Sequence, residues 1–176
     1  MKWIFLTGAG MACVIVNVSA QPVERQGSDV MVKPVAGNVY VIEKSKGNIC
    51  LTIGDDGVLV IKNQSVILSK EEKQAIKNIK DAPLQLMDTS KKSPFTFNGE
   101  EVRMINFSGE TYDRYSVVYF TLSKVVYMGH HFFAGMFPRI DVGRGADVEK
   151  YTDTISAVSE EVPEEAKIIP GYGSLS

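Results

Sequence analysis

The chain predicts an α/β fold whose sheets are covered by helices, and three observations lead there. Short β-branched runs follow one another closely from residue 35, as in "NVYVIEK", "NICLTI" and "VLVI". A capped amphipathic segment follows them at residues 69–80. The second half then repeats the order, with "EVRMINF", "SVVYFTL" and "VVYM" ahead of apolar residues at helical spacing. Strand runs with a helix after each describe sheets that need helices to cover them.

The first twenty residues stand apart from this domain. Met1-Lys2 is a short positive start, residues 3–16 are almost wholly apolar, and Val18-Ser19-Ala20 has the small residues a signal peptidase accepts. Cleavage before Gln21 is therefore expected, and with it export to a periplasmic or extracellular space. The apolar run falls short of the ~20 residues that a membrane span needs. Residues 21–34 are mostly polar and aperiodic, and read as a flexible N-terminal arm before a single domain over 35–176.

Within the domain each element has a local reason. "SKG" between the first two runs is a hairpin signal, and "GDDG" at 54–57 a second turn. "VLVI" is apolar at every position, as a central strand buried on both faces should be. Ser69 followed by Glu72 is a capping box, and Ala75, Ile76 and Ile79 give the helix its apolar stripe. "LQLM" reads as the next strand. Ser123-Lys124 is a tight turn between two later strands. Asp147 is an N-cap for a helix carrying Val148, Tyr151, Ile155 and Val158, and "KIIPGYG" closes with a short strand and a glycine-flanked loop.

Composition narrows the function classes. Removing residues 1–20 from the 176 leaves 156, enough for one domain, and takes one of the 19 basic residues, leaving 18 against 21 acidic. No basic stripe for nucleic acid emerges, and no acidic tail. Cys50 is then the lone cysteine, so no intrachain disulfide can form. Inside "NICLTI" it reads as a small buried hydrophobe, with a reactive thiol the less favoured reading.

Several stretches together resemble the metallo-β-lactamase-fold hydrolases. "GNVYVIE" and "GNICLTIGDDGVLVI" are similar to that family's opening hairpin and third strand, and "FNGEEVRMINF", "SVVYFTLSKVVYMGHHFF" and "KIIPGYGSLS" are similar, in order, to its second half. The resemblance implies an αββα sandwich. It also implies one or two zinc ions at the sheet edge, with a zinc-bound water made nucleophilic near neutral pH.

The family's ligands come from a His-x-His-x-Asp-His loop, a later His, a bridging Asp and a final His. Carried onto this chain, Ser90 stands where that loop begins and the rest is deleted, Thr111 replaces the next His, His130 the bridging Asp, and Tyr172 the final His. Lys62-Asn63 replaces the paired Asp that often ends the third strand, and the chain stops soon after "PGYG". The resemblance therefore implies a sandwich shortened by an internal deletion and a short C-terminus, with no cofactor although zinc is the family's. His130 and His131 are the chain's two histidines; a site rebuilt from them would draw on Asp88, Asp113 or Asp141. In an extended segment adjacent histidines face opposite ways, so one at most would face the old site.

Three functions follow as expectations. The first is a scaffold or binding protein, for a small molecule or a protein, that has lost the zinc site. The alternative is a metal-dependent hydrolase with a residual or rebuilt site; a serine triad is not expected, since Ser108 and Ser116 lack a strand–turn–helix setting. The third is an interaction subunit, a second copy covering apolar surface that the deletion exposes. "MGHHFFAGMFPRI" supplies its anchors in Phe132, Phe133, Met136 and Phe137, the competing reading being core packing under a loop.

Overall fold

The computed structural model describes residues 30–62, 67–88, 93–105, 117–137 and 148–175. The first half holds β1 (Val32–Ala36), β2 (Val39–Ile42), β3 (Ile49–Gly54), β4 (Gly57–Lys62), α1 (Lys70–Ile79) and β5 (Leu84–Leu86). The second holds β6 (Phe95–Phe97), β7 (Glu100–Ile105), β8 (Val117–Phe120), β9 (Val125–Tyr127), a 3-10 turn at Gly129–His131, α2 (Val148–Glu161) and β10 (Lys167–Ile169).

The two halves share one plan. Four antiparallel strands form a meander, a helix follows, and a fifth strand returns parallel to the fourth. The first sheet runs β1-β2-β3-β4-β5 and the second β10-β9-β8-β7-β6. The parallel pairs are β4 with β5 and β9 with β10. A parallel neighbour cannot be reached by a tight turn, so each needs the crossover that α1 or α2 supplies.

Side-chain alternation sorts the apolar residues into three layers. Val39, Val41, Cys50, Leu59 and Ile61 of the first sheet meet Val102, Val118, Phe120, Val125, Tyr127 and Ile169 of the second, forming the core between the sheets. The opposite face of the first sheet, with Ile49, Leu51, Ile53, Val58 and Val60, packs on Leu68 and on Ile76 of α1. Ile105, Val117, Tyr119, Val126 and Met128 of the second sheet pack under Val158 and Ile155 of α2. Hence β3, β4, β8 and β9 are apolar on both faces: each is the middle of three layers. Truncating the wholly buried Phe120 to alanine would cost about 3–5 kcal/mol.

Helix α1 begins where the sequence places it. Ser69 Oγ accepts from the Glu72 amide at 3.2 Å, and Glu72 accepts from the Ser69 amide at 2.7 Å. Glu72 is 4% exposed and pairs with Lys44 at 2.5 Å, which offsets the cost of burying its charge. The expected stripe is narrower in the molecule: Ile76 is buried, but Ile79 is 45% exposed. Val148 likewise lies 61% exposed on the first turn of α2.

Two strands escape the sequence reading. β1 begins at Val32, inside the segment read as an arm, and holds Pro34 on an edge strand, where a missing N–H breaks no ladder. β6 precedes Asn98-Gly99, whose φ values of 52° and 76° suit a two-residue hairpin. Asp147 lies outside the described residues. Among the described residues, no helix is long and apolar enough to cross a membrane.

Candidate functional site

The strand directions bring five strand ends to one edge. β4, β5, β7, β9 and β10 all end there, opposite the β3–β4, β6–β7 and β8–β9 turns. Ser90, Thr111, Asp113, Asp141 and Asn63 lie outside the described residues. Asp88 follows β5 and is exposed. His130 and Tyr172, far apart in sequence, meet: Tyr172 Oη and His130 Nδ1 are 3.2 Å apart.

This meeting is built by backbone. The chain beyond β9 and the chain beyond β10 continue their parallel course, with Phe133 opposite Tyr172 in an isolated bridge. The Gly171 amide donates to Phe132 O at 3.0 Å, and the Ala134 amide to Tyr172 O at 2.9 Å. So close an approach requires glycine: a Cβ on Gly171 would stand 1.5 Å from Gly129 O. Phe133 and Tyr172 then stack with centroids 4.7 Å apart and planes 4° apart, and His130 leans on Tyr172 at 5.5 Å.

Asn48, 1% exposed, holds the loop after β10 from beneath. Its Nδ2 donates to Pro170 O at 2.9 Å and Gly173 O at 2.8 Å, while its own amide donates to Gly171 O at 2.8 Å. Its Oδ1 accepts from the Lys44 amide at 3.0 Å, and its carbonyl accepts from Tyr127 Oη at 3.0 Å. The sequence reading passed over Asn48. An amide just ahead of an apolar strand was the available signal, but its partners in the loop after β10 lie more than a hundred residues away.

The histidines sit on a 3-10 turn and not on an extended segment, so the argument from alternating faces does not apply to them. Loss of hydration on burial, and then the neighbouring His131, push the His130 pKa down to about 4. At pH 7 the ring is neutral. Its bond to Tyr172 forms with the phenol donating to a bare Nδ1, or with Nδ1–H donating to the phenol oxygen. The His131 carbonyl accepts from Tyr151 Oη at 2.9 Å, tying the turn to α2.

Half of the aromatic run packs as the core reading expects. Phe132 packs into the core under α2 and Phe133 stacks on Tyr172, whereas Met136 and Phe137 are 54% and 97% exposed.

No family model matches the sequence, and no curated protein matches it. Solved structures do. Metallo-β-lactamase IND-7 is 18% identical, with 86% of this chain and 94% of that chain covered and a TM-score of 0.62. A metallo-β-lactamase from Pontibacter korlensis is 12% identical over 82% and 91%, TM-score 0.57. DIM-1 metallo-β-lactamase is 13% identical over 84% and 91%, TM-score 0.57.

Zinc centres take imidazole, thiolate and carboxylate ligands, three at least from the protein. Among the described residues no three His, Cys, Asp or Glu side chains gather. Where a second imidazole would be needed, a phenol meets His130 instead. The described residues at this edge, His130 and Tyr172, do not by themselves supply three zinc ligands. The chain thus has the metallo-β-lactamase fold, an αββα sandwich, with an aromatic cluster at the edge where strand ends converge.

Proposed function

We propose that this is an exported metallo-β-lactamase-fold protein that works by binding, a scaffold without a zinc centre or hydrolytic activity. The observation that supports the reading is the contact between Tyr172 and His130. A neutral phenol is a poor zinc ligand, and here it engages the one imidazole at a former ligand position. Catalysis belongs to the site and not to the fold, so the retained sandwich is compatible with loss of chemistry. The leader-like residues 1–20 support export.

The test is metal content and turnover of protein purified with and without added zinc. Sub-stoichiometric zinc, and no hydrolysis of β-lactams, thioesters or phosphodiesters above background, are expected. Zinc-dependent turnover abolished by a chelator would overturn the reading in favour of a hydrolase with a rebuilt site. N-terminal sequencing of exported protein checks the other half, with Gln21 as the expected first residue.

A further inference from the structure

We infer that Tyr172, His130 and Phe133 form a metal-free lock that joins the loops beyond β9 and β10, closing the edge where zinc-dependent members of this fold gather their ligands. The inference deepens the binding reading above and rests on it, because a lock of this kind occupies the place of a metal cross-link.

The geometry is that of a cross-link. A metal ligated from two loops fixes their separation; here three kinds of contact do so together. The backbone bonds Gly171 N to Phe132 O and Ala134 N to Tyr172 O set the register. The Phe133–Tyr172 stack fills the space above that ladder. The Tyr172–His130 bond adds a directional contact that fixes which way the phenol points. Asn48 supports the assembly from below, through bonds to residues 170, 171 and 173. Each contact is of a strength that ordinary packing supplies, and the cross-link comes from their convergence around one residue. Tyr172 takes part in all three: ladder, stack and hydrogen bond.

A double-mutant cycle tests this, read by urea unfolding followed by circular dichroism in chelator-treated buffer. Tyr172→Phe keeps the stack and deletes the hydroxyl; His130→Phe keeps a ring and deletes the nitrogen. Each single change should raise the unfolding constant roughly 5- to 10-fold. The double variant should fall short of the product of the two by roughly 5-fold, the signature of coupling. Independent effects that multiply would overturn the lock. Should a variant fail to fold, amide hydrogen exchange of the intact protein answers in its place. Gly171 and Ala134 should exchange as slowly as the β9 and β10 amides, and exchange at the rate of open loops would overturn the inference. Both readouts are taken without metal, so they stand apart from the zinc and turnover measurements that decide the binding reading.

Discussion

Two buried asparagines, one at each end of the sandwich, show how differently the ends are made. Asn98 sits in the β6–β7 turn and reaches the β3–β4 turn, donating from Nδ2 to Thr52 Oγ1 and Gly57 O, each at 3.1 Å, and accepting at Oδ1 from the Asp56 amide at 2.9 Å. Beside it, Glu100 accepts from the amides of Leu122 and Ser123 and from the Ser123 hydroxyl. Apart from Thr52 within β3, each partner lies in or beside a tight hairpin turn, whose shape is set within a few residues. Asn48, at the other end, grips a loop 122 to 125 positions away, where long connections leave the strands. The turn end consists of short turns joined across 22 to 46 positions, and the open end of long connections joined across 122 to 125. Substitution at the open end can therefore change the chemistry while the sandwich persists.

The severest way to break this contrast is Gly171→Ala. Its new methyl would overlap Gly129 O, so the loops beyond β9 and β10 must separate or the fold must give way. A loss of more than about 4 kcal/mol in urea unfolding is expected; a loss under about 1 kcal/mol would show that the approach is not obligatory.

Next come the asparagines themselves. Asn98→Ala and Asn48→Ala should each cost about 2–3 kcal/mol, since each strands buried backbone groups. Asn98→Gly should recover part of the loss, because glycine keeps the positive φ of the turn. Asn48→Gly should recover nothing. Equal behaviour of the two glycine variants would erase the distinction between support at a tight turn and support of a long connection.

A smaller effect follows from His130. Its folded pKa of about 4 lies below the ordinary value of 6.5. Above pH 6.5 the ring is neutral in both states and contributes no slope. Between pH 6.5 and 4 the unfolded chain takes up a proton that the folded chain refuses, so stability falls as pH falls. The loss is complete below about pH 4, on the order of 2 kcal/mol once partial exposure is allowed for. His130→Gln should flatten that part of the stability–pH curve, leaving the acid limb of carboxylates such as Glu43. An unchanged slope would refute the assignment. The smallest effect belongs to Phe137→Ser, expected within about 0.5 kcal/mol because the ring is almost wholly exposed.

What the sequence disclosed follows the same division. Strands β3, β4, β8 and β9 were legible because burial on both faces leaves continuous apolar runs, and α1 because its capping box lies within four residues. β1 and β6 were missed: both are edge strands, β1 is interrupted by Lys33-Pro34 and β6 is only three residues long, and the Asn98-Gly99 signal beside β6 went unread. At the open edge, Tyr172 and His130 could be aligned to former ligand positions by resemblance. That they touch could not be read, since the contact depends on the bare backbone of Gly171 meeting the distant backbone at Gly129. The roles of Phe133 and Asn48 were hidden for the same reason.

The burial of Cys50 has a kinetic consequence. In a chain lacking residues 1–20 it is the sole sulfhydryl, it lies between the sheets without exposure, and desolvation pushes its pKa up. Both reagent access and thiolate formation then require the sheets to part. The pace at which Cys50 is alkylated becomes a clock for sheet separation. Under fast reclosing, the ratio of that pace to the pace in unfolded chain gives the opening free energy directly.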